Sequence, residues 1–567
     1  MKMPLQIEPT YRIRKTPEWS NGMRLVERIA AARGVAADDM EHFFHPDIRS
    51  MPSPADACEG AAGAAEILCR AIRDGKKILA WTDYDADGVC AASILHLLLS
   101  GNNANFAIHL PERYDGYGMT METLPGVYER EKPDLLVTAD CGITSLDEIV
   151  WLKQRGVEVV VLDHHKLLGE LPQADAVCDP HVSGGPFSGF CGAGVAWMIS
   201  CLTETMLRKP GRKPLDRTGW TILAGIATVA DVMPLRGLAR DLVQQSLILL
   251  NEGRFGGLSG LEALVAASVR ANQKDRKITA RDFGWGIGPL INAAGRIGSP
   301  SLAFDVLARN DASKVGQLVE TNAKRQTLQH GGSVQLEEAV RGQGNVVTTD
   351  FPGGIIGLVA QDISSSTNQP VIIMTKFPDG NWHGSGRSPE GANITELLQK
   401  IQDETNCLIR FGGHAAACGV TVAPENLNVF SDAFSNLARG LDIPPPCVVA
   451  DVAVTGSDLT RGLIDDLAAL EPCGEGNPDP LVVLQNATLE YMDTMGQDGA
   501  HLRCRAVSRD GCRFRAKAWR LGPLVPELKM RYGKADIVCS LEPSWPDGDG
   551  VDLIINSFHE PGSEKKD

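Results

Sequence analysis

The chain has 567 residues, of which 43% are hydrophobic and 22% charged, and its formal net charge is −16. This length is too great for one hydrophobic core, so about three or four domains are expected. The longest apolar runs, such as residues 221–230, are shorter than the roughly 20 residues of a membrane span, and the N-terminus lacks the apolar stretch of a signal peptide. The acidic balance argues against broad, unspecific binding to nucleic acid, although bound divalent cations would reverse the sign locally.

The 14 cysteines are scattered along the chain, and no two of them form a C-x-x-C pair. Several lie beside glycine and alanine in apolar surroundings, as Cys90, Cys141 and Cys191 do. Cysteines distributed in this way in a large chain are typical of buried, reduced thiols, and a disulfide framework is the weaker alternative. A cytoplasmic location is therefore expected.

The first part of the chain has the pattern of an α/β domain. Apolar residues at helical spacing predict helices over residues 21–33 and 60–73. Short apolar runs at 78–81, 135–139 and 157–162 then alternate with helical patterns at 89–99 and 145–155. This alternation indicates a buried parallel sheet with helices on both faces. We assign residues 1–45 to an N-terminal helical extension and 46–300 to the α/β domain.

The rest of the chain divides into four further segments. Helices are expected at residues 195–207 and 220–230, and residues 301–341 have few turn-forming residues, which predicts one long helical connector. A second α/β domain is expected over residues 342–445, with a strand at 370–375 and a helix at 394–405. The proline-rich run 443–446 predicts a linker. Residues 446–560 are rich in strand patterns, and the polar tail 561–567 is expected to be disordered.

Acidic and histidine residues follow three of the predicted strands. The sequence D-Y-D-A-D-G starts at Asp83, Asp140 follows the second strand, and D-H-H starts at Asp163. The functional crevice of an open parallel sheet lies at the carboxyl ends of its strands, so these groups should meet there. The alternating acids of the first motif are expected to project to one side, as in a strand, and Gly88 to allow a close turn.

So many carboxylates in one place would repel one another unless cations neutralised them. Carboxylate oxygens with one or two imidazoles suit Mn²⁺ or Mg²⁺, and a pair of such ions roughly 3.5–4 Å apart is the usual arrangement for phosphodiester hydrolysis. Taken alone, the acidic motif could be a surface turn or a calcium loop, which would also need a glutamate at its twelfth position. Taken alone, a histidine pair is more often structural. Their occurrence at successive strand ends favours the metal site.

These motifs, with others in the same order, resemble the DHH phosphoesterase superfamily and within it the RecJ branch. The resemblance covers residues from about 20 to 550. The motifs are D-Y-D-A-D-G (83–88), P-E-R-Y-D-G-Y-G (111–118), T-A-D-C-G (138–142), D-H-H (163–165), C-G-A-G-V-A (191–196), T-V-A-D-V-M-P-L (228–235), I-N-A-A-G-R-I (291–297), G-S-G-R-S (384–388), F-G-G-H-A-A-A-C-G (411–419) and L-E-P-C-G-E-G-N-P-D-P (470–480).

The resemblance implies roles for individual residues. Asp140 would bridge two metal ions, His165 would face the scissile phosphate, and Asp163 would orient the histidines, so that Asp140, Asp163, His164 and His165 form the catalytic set. The implied metal ligands are Asp83, Asp85, Asp87, Asp140, His164 and Asp231. The implied substrate-binding residues are Arg113, Asn292, Arg296, Ser385 and Arg387 around the 5′ phosphate and neighbouring backbone, with Gly412, Gly413 and His414 in a glycine-rich turn.

A basic strand face in the C-terminal region is a second candidate site. Arg513, Arg515 and Lys517 alternate with apolar residues, and Arg503 and Arg505 repeat the pattern one strand earlier. Residues two apart share one face of a strand. A strand-rich module with a basic face resembles an OB-fold that binds single-stranded backbone. The alternative is a merely solvated strand face.

The resemblance predicts a cytoplasmic exonuclease that releases mononucleotides from single-stranded DNA in the 5′→3′ direction, in recombination and repair. Its cofactors would be two Mn²⁺ or Mg²⁺ ions, and its candidate partners a single-strand-binding protein and a helicase, with no membrane. The alternatives are a DHH hydrolase of short oligonucleotides or cyclic dinucleotides, and an inactive DNA-binding scaffold. The sequence departs from the family pattern at Thr82, Asp179, Leu290 and Pro352. None of these positions is an implied metal ligand, so the departures bear on the path of DNA and on the rate of hydrolysis.

Overall fold

The structure is a computed structural model that describes residues 10–116, 118–167, 169–268, 276–444, 447–496, 499–544 and 550–565. The chain divides into two compact units. The larger unit contains residues 50–233 and 238–445, and the smaller unit contains residues 1–49, 234–237 and 446–567. In the described residues no helix is long and apolar enough to cross a membrane, and none of the 14 cysteines forms a disulfide.

The smaller unit begins with one strand and two helices. They are β1 (Tyr11–Ile13), α1 (Leu25–Ala32) and α2 (Met40–Phe44).

The first part of the larger unit is a five-stranded sheet in the order β3-β2-β4-β5-β6, and all its strand pairs are parallel. Its central strands are buried on both faces, which explains their unbroken apolar sequence. The elements are α3 (Pro54–Ala57), α4 (Ala61–Arg73), β2 (Lys77–Thr82), α5 (Ala86–Gly101), β3 (Asn105–His109), α6 (Leu124–Glu131), β4 (Leu135–Ala139), α7 (Leu146–Lys153), β5 (Glu158–Leu162), β6 (Ala176–Cys178) and α8 (Pro180–Ser183).

Helices follow this sheet and lead to the second domain. They are α9 (Gly192–Met206), α10 (Thr218–Ala230), α11 (Gly237–Asn251), α12 (Ser259–Ser268), α13 (Ala280–Asp282), the π-helical turn Phe283–Ile287, α14 (Gly288–Ile297), α15 (Ser301–Leu307) and α16 (Val315–Gln343).

The connector predicted over residues 301–341 is helical, and it consists of two separate α-helices, α15 and α16. Asn310 between them adopts a left-handed conformation with φ 62°, and the Asp311 side chain accepts a hydrogen bond from the Ser313 backbone N–H. Asparagine and aspartate favour such turns because their side chains bond to nearby backbone. Asn310-Asp311 is thus a turn-forming pair, and the helical pattern of the surrounding residues did not indicate the break that it causes.

The second part of the larger unit is a mixed five-stranded sheet in the order β10-β11-β9-β8-β7. Only β7 and β8 are parallel in it. The elements are β7 (Val346–Thr349), α17 (Gly353–Thr367), β8 (Val371–Lys376), β9 (Trp382–Arg387), α18 (Ile394–Thr405), β10 (Leu408–His414), β11 (Ala417–Val422) and α19 (Leu427–Arg439). Both α/β predictions are confirmed. Of the linker predicted at 443–446, residues 445 and 446 lie outside the described residues.

The rest of the smaller unit is a closed five-stranded barrel in which β14 pairs with both β15 and β17. Closure removes the exposed strand edges of an open sheet, and the OB-like prediction is confirmed. The elements are β12 (Val448–Ala450), β13 (Val452–Val454), α20 (Arg461–Leu467), β14 (Val482–Met495), β15 (His501–Val507), β16 (Arg513–Ala518), α21 (Val525–Met530), β17 (Lys534–Pro543) and β18 (Val551–His559).

The chain's N-terminal segment packs into this smaller unit and is not purely helical. Strand β1 pairs in parallel with β12, and the buried guanidinium of Arg33 donates to both oxygens of Asp451 at 3.0 and 2.7 Å. Residues 1–9 of the predicted extension lie outside the described residues. In the tail, the Lys565 backbone N–H donates to the Tyr11 carbonyl at 2.8 Å, and the disorder expected over 561–567 stays a prediction. Residues 566 and 567 lie outside the described residues.

Candidate metal centre and nucleic-acid site

The three acidic motifs meet at the carboxyl edge of the parallel sheet. Thr82 lies opposite Ala139 in the strand register, and Ala139 lies opposite Leu162. The residues that directly follow these three strands are Asp83, Asp140 and Asp163. They therefore lie side by side at the same edge of the sheet. The structure brings together the groups that the sequence placed at strand ends.

The first motif reaches this edge through a helix start rather than through an extended strand. Strand β2 ends at Thr82, and Asp85 caps α5 by accepting from the backbone N–H groups of Asp87 at 2.9 Å and Gly88 at 3.1 Å. The expectation that strand alternation aims the three acids is therefore wrong, because a helix begins within the motif. The requirement for glycine holds: a Cβ at Gly88 would lie 2.2 Å from the Asp83 carbonyl oxygen.

The side chain of Asp87 binds the start of a second helix. Its two oxygens accept from the backbone N–H groups of Gly192 at 2.7 Å and Ala193 at 2.8 Å, in the first turn of α9. A Cβ at Gly192 would lie 2.4 Å from the Cβ of Asp140. The C-G-A-G-V-A motif was noticed in the sequence only as part of the family resemblance, and no function was predicted for its residues. The glycine-rich sequence at a helix start was the feature that could have indicated this close approach.

The imidazole of His164 lies among three carboxylates. Its Nε2 is 3.1 Å from Asp140 Oδ1, 3.5 Å from Asp87 Oδ2 and 3.7 Å from Asp231 Oδ2. Asp231 follows the last residue of α10, so a fourth element contributes to the cluster. Burial lowers the pKa of His164 although the surrounding carboxylates oppose that shift. A neutral imidazole is the form that binds a metal ion.

A second group of carboxylates shares Asp140 with the first. One oxygen each from Asp83, Asp85 and Asp140 lie within 4.8 Å of one another, and Asp140 also groups in this way with His164 and His165. Burial, followed by the charges of neighbouring carboxylates, raises the pKa values of Asp83 and Asp140 well above their usual range. The buried Oδ1 of Asp83 has no hydrogen-bond partner in the described residues. Carboxylates that repel one another, with one buried oxygen left over on Asp83, fit divalent cations that prefer oxygen ligands.

Asp163 differs from these acids because its oxygens are already occupied. Oδ2 accepts from the Ile143 backbone N–H at 2.9 Å, and Oδ1 accepts from the His164 backbone N–H at 2.8 Å and contacts His165 Nδ1 at 2.7 Å. Burial would raise the pKa of Asp163, but the hydrogen bond and charge of His165 and the backbone donors lower it. For His165, burial alone would lower the pKa. The hydrogen bond and charge of Asp163 outweigh burial and raise the pKa of His165 to about 9. Asp163 thus fixes the ring of His165.

Arginine side chains from both domains of the larger unit form a second group. Arg113 lies over the ring of Tyr84 at 5.0 Å, and Arg296 donates to the Gly354 carbonyl at 3.2 Å. Burial, and next the charge of Arg113, lower the pKa of Arg296 to about 10. Burial also lowers the pKa of Arg387, and Arg113 adds to that shift. None of these three guanidinium groups forms an ion pair within the described residues.

The remaining predicted substrate residues lie around these groups. Ser385 Oγ accepts from Arg387 Nη1 at 3.1 Å on β9, and Asn292 Oδ1 accepts from the backbone N–H of Ala86 in the first motif at 2.9 Å. Gly412, Gly413 and His414 form the exposed end of β10. A Cβ at Gly413 would lie 2.2 Å from the Ala417 carbonyl oxygen, whereas Gly412 borders open space. Backbone can therefore be approached closely at Gly412.

The departures from the family pattern are accommodated locally. Thr82 and Leu290 are buried, and Pro352 precedes the first residue of α17. The Asp179 carboxylate accepts from the backbone N–H groups of His181 at 3.0 Å and Val182 at 3.1 Å. None of the four displaces a residue of the acidic cluster.

The predicted basic face is present on the barrel of the smaller unit. Arg513 and Arg515 are exposed and Lys517 is half-buried, while the residues between them are buried. Arg515 lies opposite Arg505 in the register, and Lys517 lies opposite Arg503. The face is partly neutralised, because Arg515 pairs with Asp552 at 3.1 Å and Arg503 with Asp493 at 2.7 Å. Tyr491 carries the Arg505 guanidinium over its ring at 4.7 Å, an aromatic contact that the sequence analysis did not consider.

Three family models match successive parts of the chain. The DHH family N-terminal domain matches residues 77–226, the DHHA1 domain matches residues 342–440, and the RecJ OB domain matches residues 450–556.

Curated relatives and solved structures agree with these matches. The chain is 33% identical over 486 residues to the single-stranded-DNA-specific exonuclease RecJ of Thermus thermophilus, covering 83% of this chain and 68% of that protein. It is 28% identical to the Escherichia coli protein of the same name, covering 81% and 82%. The crystal structure of RecJ in complex with Mn²⁺ from Thermus thermophilus superposes with a TM-score of 0.80 at 27% identity, covering 98% of this chain and 80% of that one. A structure of exonuclease RecJ bound to manganese is 30% identical, with a TM-score of 0.58 and coverages of 68% and 96%.

Proposed function

Because the chain belongs to the RecJ family of DHH phosphoesterases, we propose that it is a metal-dependent exonuclease that degrades single-stranded DNA from the 5′ end. The observation that carries this proposal is the acidic cluster. Carboxylates from several elements surround His164 Nε2, and Asp83 offers a buried oxygen without a hydrogen-bond partner in the described residues. The similar structures from this family were solved with Mn²⁺ and Mg²⁺.

The cluster divides into two sets of ligands that share one residue. Asp83 and Asp85 would hold one divalent cation, Asp87, His164 and Asp231 would hold another, and Asp140 would serve both. Two bound Mn²⁺ or Mg²⁺ ions would supply an activated water at neutral pH and neutralise charge on the reacting phosphate. Asp140 is suited to a shared role because it belongs to sets on both sides of the cluster.

In this proposal, His165 would contact the phosphate that is cleaved. Its Nδ1 is held by Asp163 at 2.7 Å, so Nε2 is the ring atom that can donate to a phosphate oxygen. In the metal-free protein, Asp163 outweighs burial and raises the pKa of His165 to about 9. An N–H donor held in a fixed position would stabilise the negative charge that develops on phosphate during hydrolysis.

The direction of attack would be set by Arg113, Arg296, Ser385 and Arg387. Burial lowers the pKa values of Arg296 and Arg387, and the charge of Arg113 adds to both shifts; a terminal phosphate beside these groups would remove that repulsion. Guanidinium forks match phosphate oxygens in a bidentate way. A 5′ phosphate has an additional negative charge that an internal phosphodiester lacks, so this site would favour a strand end.

The two alternative functions are less well supported. A hydrolase of short oligonucleotides or cyclic dinucleotides would not need a barrel with a basic strand face, and here the RecJ OB domain matches residues 450–556. An inactive scaffold should have lost ligands, yet all six predicted metal ligands lie in the cluster. A cytoplasmic location stays a prediction, supported by 14 cysteines without a disulfide. A single-strand-binding protein and a helicase stay predicted partners from the resemblance.

The test uses single strands labelled at one end, with and without a 5′ phosphate, in Mn²⁺, Mg²⁺ or chelator. We expect mononucleotides to be released from 5′-labelled strands at once, no digestion in chelator, and slower attack when the 5′ end is closed in a hairpin. Arg387→Gln should lower kcat/KM on 5′-phosphorylated strands by about 10- to 150-fold, the worth of a charged hydrogen bond. The proposal would be overturned by digestion that starts at the 3′ end or that proceeds in chelator.

A further inference from the structure

Trp285 is the most exposed tryptophan among the described residues, with 83% of its surface accessible. It lies in the π-helical turn Phe283–Ile287 between Gly284 and Gly286, while Phe283 and Ile287 are fully buried. The buried ends hold the turn in place, and the flanking glycines provide no side chain to cover the indole. Single exposed apolar residues are common on protein surfaces, so the surroundings of Trp285 decide its meaning.

A cavity of about 460 Å³ opens beside Trp285. Its walls are the π-helical turn and helices α14, α16 and α17, all in the larger unit. Trp285 and Pro289 provide apolar surface, and Asn292, Arg296 and Arg325 provide polar groups. An apolar face with a few converging polar groups, in a volume of this size, is the usual character of a ligand pocket.

The guanidinium of Arg325 in this cavity has no carboxylate partner. Its Nε donates to Asn322 Oδ1 at 2.9 Å and its Nη1 to Gln329 Oε1 at 2.7 Å. The nearby Asp362 carboxylate instead accepts from Gln329 Nε2 at 3.0 Å and from Ser333 Oγ at 2.7 Å. Arg325 is therefore held by neutral amide oxygens and forms no ion pair within the described residues. Burial lowers the pKa of Arg325, and the charge of Asp362 opposes that shift in part. A positioned, half-buried guanidinium without an ion pair favours an anion.

Helix α14 links the lining of this cavity to the first acidic motif. Asn292 on this helix accepts from the backbone N–H of Ala86, within the first acidic motif. Arg296, one turn further along α14, is close enough to both Arg113 and Arg325 for their charges to lower its pKa. The guanidinium groups of Arg113, Arg296 and Arg325 thus form a series from the acidic cluster into the cavity.

We propose that this cavity binds one nucleotide of the single strand, with its base stacked on Trp285 and its phosphate at Arg325. The inference rests on the proposed function and adds a base-binding subsite to it. Stacking on an aromatic ring accepts any base, because every base has a π-face. A guanidinium beside the ring binds the phosphate of the same or the next nucleotide. The two contacts together would select a flexible, unpaired strand without selecting a sequence.

The experiment measures binding and cleavage of a 5′-phosphorylated decathymidylate and of versions that lack one base at positions 1 to 4. Binding is measured by fluorescence anisotropy in Ca²⁺, and cleavage as kcat/KM in Mn²⁺. Trp285→Ala should weaken binding of the intact strand about 5- to 100-fold, and Trp285→Phe should keep most of the affinity. With the strand that lacks the base bound by Trp285, Trp285→Ala should no longer weaken binding. The contact is already lost when the base is absent, so removing the ring costs nothing more.

Arg325→Gln should reduce the salt dependence of binding by about 0.7 in the log–log slope, the value for one phosphate contact on a single strand, and Arg325→Lys should restore most of it. The matched control is Arg155→Gln, whose guanidinium lies over the Trp151 ring at 3.5 Å after α7, at the opposite edge of the sheet. Thermal melts of all variants test their folding.

The outcomes separate the inference from the function on which it rests. If wild-type protein leaves single strands uncut in Mn²⁺, the proposed exonuclease fails, while the binding arm still tests the subsite. Suppose instead that wild-type protein cuts the strands, and that the losses of affinity caused by Trp285→Ala and by base removal multiply at all four positions. In that case no base stacks on Trp285, and the inference is overturned. Binding by Trp285→Ala equal to wild type would also overturn it.

Discussion

Two buried carboxylates at the same sheet edge have opposite environments. Asp163 receives backbone and histidine hydrogen bonds, and its pKa is lowered. Asp140, 2% exposed, lies among other carboxylates, and its pKa is raised. Hydrogen bonds to an ionised group favour that form, whereas burial and like charges oppose it. Asp163 is therefore a positioning residue, and Asp140 belongs to a group whose charge requires cations.

The metal-free protein should lose stability as the pH rises because of this group. A carboxyl whose pKa is raised in the folded state contributes stability that is complete below its unfolded pKa and is lost as the pH rises toward the folded value. In chelator, Asp140→Asn should therefore raise the melting temperature more at pH 8 than at pH 5, and the rise caused by adding Mn²⁺ should shrink. The control is Asp147→Asn, an exposed acid in α7. An equal response of both variants would contradict the assignment of charge repulsion to Asp140.

Asp163→Asn tests the other role. Loss of the charged partner should lower the pKa of His165 from about 9, and histidine NMR titration of the metal-free protein would measure it. Activity should fall about 10- to 100-fold, the usual cost of removing a residue that orients a ligand. A variant with lost activity but an unchanged His165 pKa would mean that Asp163 acts only on the fold of the loop.

Strand ends predicted the acids and histidines that follow β2, β4 and β5, because strand patterns are local, whereas Asp231, which follows the helix α10, was implied only by the family resemblance. The sequence was not sufficient for the hydrogen bonds from Gly192 and Ala193 to Asp87. That contact depends on how α9 packs against α5, and residues 105 positions apart carry no periodic pattern that links them. Trp285 and Arg325 were missed for the same reason.

Among the secondary-structure elements, the start of α9 approaches the acidic cluster closely at Gly192. Gly192→Ala would place a Cβ 2.4 Å from the Cβ of Asp140, so Asp140 or the helix must shift. We expect a loss of about 1–3 kcal/mol in the free energy of unfolding together with a strong loss of activity. Gly126→Ala in α6 is the matched control, because its Cβ would meet nothing within 4 Å. Full activity of Gly192→Ala would show that the site tolerates displacement of Asp140.

The basic face of β16, which belongs to the smaller unit, should bind the strand independently of the metal centre in the larger unit. Neutralising Arg513, Arg515 and Lys517 to glutamine should weaken binding of long single strands and lower the salt slope by up to about 0.7 per lost phosphate contact. Because Arg515 is paired with Asp552 at 3.1 Å, the expected loss is nearer two contacts than three. Cleavage of a very short oligonucleotide should hardly change. Titrations on long and short strands measure this, and equal losses on both lengths would contradict a separate binding face.

At the scale of the whole molecule, an acidic protein can bind an acidic polymer only through local charge. The net charge is −16, yet arginines cluster beside the acidic site and along one barrel face. Domain order and the α/β and barrel classes followed from sequence because alternating strands and helices are local patterns. The pairing of β1 with β12, and of residue 565 with Tyr11, did not follow. Such short parallel pairings join distant parts of the chain, and neither end shows a distinctive pattern.

If the carboxylate cluster holds the cations that hydrolyse DNA, Asp140→Asn should remove that activity, because Asp140 belongs to both sets of ligands. The measurement is the rate of mononucleotide release from a 5′-phosphorylated single strand over a Mn²⁺ titration, beside wild type and Asp147→Asn. We expect the Asp140→Asn variant to stay folded and to lose hydrolysis at every Mn²⁺ concentration, while Asp147→Asn keeps wild-type rates. Hydrolysis by folded Asp140→Asn at near wild-type rates, with an unchanged Mn²⁺ dependence, would contradict the account.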